Sequence, residues 1–386
     1  MAAPASADLD RDLIAFFAQG LAAPATDATF DALALRVFVY QYESLAPYRD
    51  YCQRRGALPQ RLRHWSEIPA VPAQAFRDVR LWCDDDGAPA ALFRTSGTTT
   101  ADVRPGEHYM SAAGLALYDA SLLATFRGFV VPELEGAKRG GFSPLVPLVL
   151  GPPPAEAPHS SLWHMVDVAT RAWFKPPARW FLPAGGLDLA GLESALGGRE
   201  PVCLIATDLA LDQFLEAARA HGFRAKLHKD SRLVHTGGPK GRRRTLSVEA
   251  LYERVAETLG IGPARIVNEY GMTELASQFY DDTLRNPAAA ALPRLKYGPP
   301  WVRALVVDAQ TLEPVPPGLP GLLRIFDLAN RGSILAIQTE DRAIAATDDE
   351  LPAPLTRSGA RPFRLLGRLE GSEARGCSLD VEEARA

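Results

Sequence analysis

The stretch FRTSGTTT, residues 93–100, sets one serine, one glycine and four threonines among the seven residues that follow Phe93. Hydroxyls beside a glycine suit one kind of chemistry. Backbone N–H groups near the glycine face a concavity, and the side chains add donors to anionic oxygens. Thr95, Ser96, Gly97, Thr98, Thr99 and Thr100 are therefore candidate phosphate ligands. An ordinary surface turn has the same composition, because hydroxyls bond nearby backbone and glycine tolerates positive φ. The GxxxxGK[ST] spacing is absent, so this is not a Walker loop. A second stretch, NEYGMTE (268–274), offers the ring of Tyr270 for a purine and the turn-forming Gly271. Its Thr273 carries a hydroxyl for a phosphate oxygen, and its Glu274 a hard carboxylate for Mg²⁺. The other reading of that stretch is a strand-to-helix turn, capped by Thr273 and with Glu274 favoured by the helix dipole. A third stretch, HTGGPKG (235–241), brings Gly237 and Gly238. Near the end, ARGCSLD places the thiol of Cys377 two residues after Arg375, a cation that favours the thiolate; one thiol among four also reads as an incidental residue. His108, Tyr109 and His164 are polar residues that could line a site; a buried, hydrogen-bonded role is the simpler reading of each.

Each of the three loops follows a strand-like run, at 91–93, 231–234 and 264–268. In α/β sheets the loops leaving strand C-termini form the ligand crevice, which would bring the three together. PVCLIAT (201–207) is a charge-free β-type run of the kind covered on both faces. DLALDQFLEAARAHGF follows with helical periodicity, Thr207 or Asp208 able to cap it and Gly222 to end it. SVEALYERVAETLGI (247–261) reads as a helix capped by Ser247, with Leu251, Val255 and Leu259 on one face. This alternation predicts an α/β fold with a parallel sheet. Earlier, TFDALALRVFVYQYESLAPYRDYC has Phe30, Leu33, Val37, Tyr40 and Ser44 near helical spacing. WVRALVVD (301–308) and GLLRIFDLA (321–329) predict a β-rich end. The expected organisation is a mostly helical region over 1–90, an α/β core over 91–300, a β-rich subdomain over 301–366 and a short mobile tail over 367–386.

The 386 residues are 47% hydrophobic and 23% charged, an ordinary globular composition. A net charge of −4 gives no electrostatic case for nucleic acid, and the basic run KGRRR (240–244) reads as a solvated loop. Four scattered cysteines, Cys52, Cys83, Cys203 and Cys377, lack zinc-site spacing and are too few for a disulfide framework, which suggests a reducing cytoplasm. The N-terminus has no basic segment ahead of its apolar part and so does not read as a secretory signal; no apolar run is long enough to span a membrane.

FRTSGTTT followed by NEYGMTE resembles the adenylate-forming superfamily of acyl-CoA synthetases, which carry an SGTTG-type phosphate loop and a later YGxTE motif in this order. Thr100 stands where that loop usually ends in glycine, whereas Tyr270–Glu274 matches YGxTE throughout. The resemblance implies that Asp341, in QTEDRA, binds ribose, and that Gly367-Arg368 is the hinge pair. HTGGPKG and RGCSLD are similar to stretches of the acyl-protein synthetase (LuxE-type) branch, which lacks most of the small C-terminal domain. The last lysine is Lys296, so the catalytic lysine that full-length relatives place beyond the Gly-Arg has no counterpart in this sequence. The resemblance implies that ATP, with Mg²⁺, converts a carboxylic (fatty) acid into an acyl-adenylate. The acyl group then passes to Cys377 for delivery to a partner acyl reductase or acyltransferase. Catalysis would fall to Cys377, Thr98 and Glu274, with Glu274 on the metal. Nucleotide binding would fall to Thr95–Thr100, Gly237, Gly238, Tyr270, Gly271, Thr273, Asp341 and Arg368. The alternatives are an acyl- or aryl-CoA ligase using free coenzyme A, and a non-catalytic subunit that only binds nucleotide.

Overall fold

A computed structural model of the chain describes residues 4–23, 26–84, 87–95, 104–135, 143–237, 247–351 and 361–368. The chain begins with α1 (Pro4–Phe17), α2 (Asp27–Ser44), α3 (Ala46–Arg54), β1 (Val71–Pro72) and α4 (Ala75–Asp78). β2 (Ala91–Arg94), β3 (Glu107–Met110), α5 (Ala112–Val130), β4 (Val146–Leu150), α6 (Ser161–Trp173), β5 (Arg179–Trp180) and α7 (Leu189–Leu196) follow. Next come β6 (Val202–Thr207), α8 (Asp208–His221), β7 (Arg232–Thr236), α9 (Val248–Leu259), β8 (Ile266–Tyr270) and β9 (Phe279–Tyr280). β10 (Val302–Val307), β11 (Pro320–Asp327), β12 (Ala336–Ala345) and β13 (Phe363–Arg368) complete the described elements. Two compact units result. One holds residues up to Thr125, Gly271–Gln278 and the chain from Tyr297 onward; the other holds Phe126–Tyr270 and Phe279–Lys296.

The second unit is the α/β one. Its sheet runs β5-β4-β6-β7-β8-β9, parallel throughout except for β9. β6 is buried over Val202–Ala206, as its charge-free sequence requires. α8 and α9 are the crossovers that parallel pairing needs. Thr207 accepts from the amide of Ala210 to start α8, and Gly222 ends it at φ 69°. Ser247 accepts from Ala250 to start α9, and Gly260 ends it at φ 69°. Phe214, Leu215, Leu251 and Val255 from these helices pack on Leu204, Leu233 and Ile266 of the strands.

The first unit has a sheet ordered β1-β12-β11-β10, with β13 also paired to β12. A separate hairpin pairs β2 with β3. The N-terminal helices pack on this unit's strands: Phe16 and Phe17 of α1 meet Trp301, while Phe30 of α2 meets Trp65, which in turn meets Phe326 of β11. The helical reading of 30–44 holds in type, and its face holds at Phe30, Leu33 and Val37 but not at the C-terminal end. Phe30, Leu33, Ala34, Val37, Phe38 and Gln41 are buried, whereas Tyr40 is half-buried and Ser44 exposed. Gln41 is inside because its amide donates to the carbonyls of Asn330 and Arg331 (2.9 and 3.1 Å) and accepts from Leu335 N–H (3.0 Å). α6, with Trp163, Val166, Ala169 and Thr170 buried at helical spacing, and α7 add two helices that the sequence reading did not name.

Candidate active site

The hydroxyl-rich loop does not leave a strand of the parallel sheet. It joins the arms of the β2–β3 hairpin, whose register runs from Ala91↔Met110 to Arg94↔Glu107. Thr95 closes the neck of this loop: its N–H donates to Gly106 O (3.0 Å) and its hydroxyl accepts from Gly106 N–H (2.9 Å). Beside it Arg94 donates to Glu107 (3.2 Å), and Tyr109 donates to the same carboxylate (2.5 Å). Those charge-assisted bonds hold the Glu107 carboxyl below its ordinary range and push the Tyr109 phenol above its own. Thr95 is thus fixed to Gly106 directly after β2. Ser96, Gly97, Thr98, Thr99 and Thr100 lie outside the described residues.

The segment Gly271–Gln278 contains no helix, so the strand-to-helix reading of NEYGMTE fails; β8 is answered by the antiparallel β9 instead. What holds this turn is a set of buried polar groups. His108 on β3, 1% exposed, donates from Nδ1 to the Thr273 carbonyl (2.7 Å). A carbonyl only accepts, so that nitrogen carries the proton. Burial pushes the imidazole pKa down to about 4, and it stays neutral at pH 7. Asn330 donates to the carbonyls of Glu274 and Ile334 (both 2.8 Å). Asp327, at the end of β11, accepts from Ala276 N–H (2.9 Å), Ala329 N–H (3.0 Å) and the Ser277 hydroxyl (2.7 Å). Burial raises its carboxyl to about 6 against the pull of those donors. Ser277 also meets Ser121 Oγ (2.8 Å), which accepts from the Trp301 indole (2.8 Å). Through His108, one hydrogen bond joins the hairpin carrying the hydroxyl loop to the Thr273–Glu274 turn. Sequence reading assigned Thr273 and Glu274 and passed over Asp327 and Asn330. Their one signal was two polar residues, in DLAN, directly after an apolar strand.

Glu274 is buried at 8% exposure and supplies a hard oxygen. Mg²⁺ keeps most of its waters and takes one or two carboxylates beside substrate phosphates, so a single protein carboxylate fits an ion that arrives with a nucleotide. Among the described residues no cluster of three His, Cys, Asp or Glu side chains could hold a metal by itself.

Asp341 and Arg368 are brought together. They pair across β12 and β13, and Arg368 Nε donates to Asp341 Oδ1 (3.4 Å). The register slips between Arg342 and Ala343, and Gly367, opposite Arg342, has φ 102°. Such a bulge re-aims the strand's last side chain, here Arg368. In the other unit, Gly237 follows β7 at φ 122°, a conformation that favours glycine. Tyr270 ends the neighbouring β8, its ring 6.0 Å from that of Phe279. The hydroxyl of Thr236 donates to Glu269 across the same strand pair. Gly238 and Cys377 lie outside the described residues. The other thiols are placed: Cys203 sits fully buried in β6 and Cys52 in α3, and burial pushes each to about 12. Cys83 donates to Ser333 O (3.2 Å), and burial raises it as well. His164 is half-buried on α6.

The family model of the acyl-protein synthetase LuxE matches residues 187–385, just over half of the chain. The chain belongs to the LuxE acyl-protein synthetase family. This LuxE-family protein is similar to the long-chain-fatty-acid–luciferin-component ligase of Vibrio harveyi, at 22% identity over 364 residues that cover 90% of this chain and 85% of that protein. Among solved structures it is similar to an open conformation of 2-hydroxyisobutyryl-CoA ligase with 2-HIB-AMP and CoA, with TM-score 0.63 and 16% identity over 89% of this chain and 74% of that one. The same ligase in its postadenylation state gives TM-score 0.63 and 15% identity over 93% and 72% of the two chains. The LuxE-family chain thus has the α/β fold of adenylate-forming ligases, and it is an enzyme of the ligase class. Among its described residues no helix is long and apolar enough to cross a membrane.

Proposed function

We propose that this protein uses ATP to activate a carboxylic acid, of the fatty acid class, and loads the acyl group on its own Cys377. The observation that carries the adenylation half is the His108–Thr273 hydrogen bond (2.7 Å), which fastens the two motifs expected to grip the phosphates to each other through one buried, neutral imidazole. A carboxylate is a poor electrophile because oxide would have to leave. Its oxygen attacks the α-phosphorus of ATP, pyrophosphate departs, and the mixed anhydride so formed can lose AMP. Thr98 and Thr99 donate to the triphosphate, Tyr270 stacks on adenine and Asp341 accepts from ribose hydroxyls. Glu274 and the phosphates would hold Mg²⁺, which neutralises charge on the departing pyrophosphate. The Thr273 hydroxyl, carried on a turn held by His108, Asn330 and Asp327, need not reorganise as that charge develops.

For the second half, the thiolate of Cys377 attacks the acyl carbon, the C–O bond to AMP breaks, and the thiol proton passes to solvent. The burial of Cys52 and Cys203, and the bonded, raised thiol of Cys83, support Cys377 as the acceptor, since a nucleophilic thiol needs access and thiolate character. The name of the Vibrio harveyi relative states a long-chain fatty acid, which supports a fatty substrate here. The natural collector of a protein thioester is an acyl reductase or acyltransferase, and the cytoplasm is the compartment that keeps the thiol reduced. The test is acid-dependent ATP–pyrophosphate exchange over a panel of carboxylic acids, followed by denaturation of protein loaded with labelled acid. Exchange, and label that stays on the protein until hydroxylamine is added, is the expected result. Label that leaves as a coenzyme A thioester would make the protein a CoA ligase, and absence of exchange with every acid would refute adenylation. Glu274→Ala should reduce exchange by about 100-fold or more.

A further inference from the structure

Six polar residues close a ring beneath the C-terminal ends of β7 and β8. Lys296 donates to Asn268 Oδ1 (2.5 Å), to the Asn268 carbonyl (2.8 Å) and to Asp281 Oδ1 (2.7 Å). Arg294 donates to Asp281 Oδ2 (2.9 Å) and to the Tyr252 hydroxyl (3.4 Å), with its guanidinium 4.4 Å from the centre of that ring. Tyr252 Oη lies 3.0 Å from His235 Nε2, and Asn268 Nδ2 closes the circuit on the His235 carbonyl (3.1 Å). His235 and Asn268 are register partners on the two strands. His235, Asp281 and Lys296 are 1%, 0% and 5% exposed.

The donors dictate a direction. His235 Nδ1 stands 2.6 Å from Asp208 Oδ1, and a carboxylate only accepts, so Nδ1 carries the imidazole proton. Nε2 is then the acceptor for the Tyr252 hydroxyl, whose oxygen also accepts from Arg294. Asp208 opens α8 at the C-terminal end of β6, and Gly237 passes it closely: a Cβ at Gly237 would stand 3.6 Å from Asp208 Cβ and 3.7 Å from its Cγ. Buried ion pairs add little net stability over well-packed apolar side chains. This one occupies the strand ends where α/β folds take ligands, so precision of placement is what it offers there.

We propose that His235 is a positioning residue for the nucleotide. Through Nδ1 it holds Asp208 in place beside Gly237, while Lys296 holds Asn268, two residues before Tyr270. The proposal rests on the adenylation reading for ATP being the ligand. His235 itself touches no substrate.

The experiment compares His235→Asn with His235→Gln in ATP binding by equilibrium dialysis, in KM for ATP and kcat of pyrophosphate exchange, and in Tm. Asn places an amide donor where Nδ1 stands and keeps the Asp208 bond. Gln places its amide near Nε2 and loses that bond. The Gln variant should raise Kd and KM for ATP about tenfold with little change in kcat, as expected for one lost charge-assisted bond. The Asn variant should stay within about threefold of wild type, although both lower Tm alike. Asp208→Ala should match the Gln variant and serves if either histidine variant fails to fold. Equal losses in the Asn and Gln variants, or unchanged ATP binding in Gln and Asp208→Ala, overturn the proposal. A wild type that binds ATP yet exchanges no pyrophosphate refutes adenylation instead, and dialysis still decides the role of His235. A wild type that binds no ATP overturns both.

Discussion

His108→Asn probes the fastening of the Thr273 turn, and its signature is a pH dependence. The unfolded imidazole takes its proton near 6.5, whereas burial delays protonation in the folded protein to about 4. Above pH 6.5 neither state is protonated, and the neutral ring contributes its full hydrogen bond to Thr273. As pH falls from 6.5 to 4 the unfolded chain binds a proton that the folded one refuses. Stability therefore declines with falling pH, by about 3 kcal/mol over the 2.5 units. The amide introduced by His108→Asn would still donate to the Thr273 carbonyl but cannot titrate. The variant also loses the edge contact between His108 and Phe76, whose centroids are 5.5 Å apart, at a pH-independent cost of about 1–3 kcal/mol. The raw stability curve of the wild type will hide this. Asp327 has its carboxyl raised from 3.8 to about 6, so the folded state binds the extra proton in that window and gains stability as pH falls. The readout is the difference between wild type and His108→Asn in urea unfolding, followed by tryptophan fluorescence at pH 7, 6, 5 and 4.5. The wild-type advantage at pH 7 should shrink by about 2 kcal/mol at pH 4.5 and can reverse sign. A difference that stays constant within about 0.5 kcal/mol would show that His108 takes up its proton as readily in the folded state as in the unfolded chain and would refute the buried imidazole that resists protonation.

Cys377→Ser should keep pyrophosphate exchange but hold no hydroxylamine-labile acyl group, because an alcohol is a far weaker nucleophile than a thiolate; loss of exchange in this variant would place the tail in the adenylation site. Asp341→Ala should raise KM for ATP about tenfold, while the stability change measured by urea unfolding stays within about 1 kcal/mol, since its Arg368 partner is 43% exposed and solvent screens the pair. Gly151→Val should destabilise by about 1–3 kcal/mol, measured by the same unfolding, because a Cβ there would stand 2.3 Å from Trp163 Cη2 and force the indole off its seat.

The local determinants of the α/β unit were written in the sequence. The charge-free run at 202–207, the Thr207 and Ser247 caps and the glycines at 222 and 260 each act over a few residues, and helices α8 and α9 begin and end where those residues stand. Thr95, Gly237, Tyr270 and Glu274 were singled out by residue type and spacing alone. Topology was not. That β2 belongs to a hairpin, and that no helix follows β8, depend on which distant strand offers its hydrogen bonds, as β3 does to β2 and β9 to β8. The groups that hold the motifs were equally hidden. His108 reaches Thr273, Asn330 reaches Glu274, and Lys296 reaches Asn268 and Asp281 across sequence gaps that no local pattern encodes. An isolated Asn or Lys reads as a solvated residue, and the buried, hydrogen-bonded role expected of His108 came without its partner. Only burial, which makes an unpaired polar group costly, turns each into a fastener, and burial is decided by the tertiary structure.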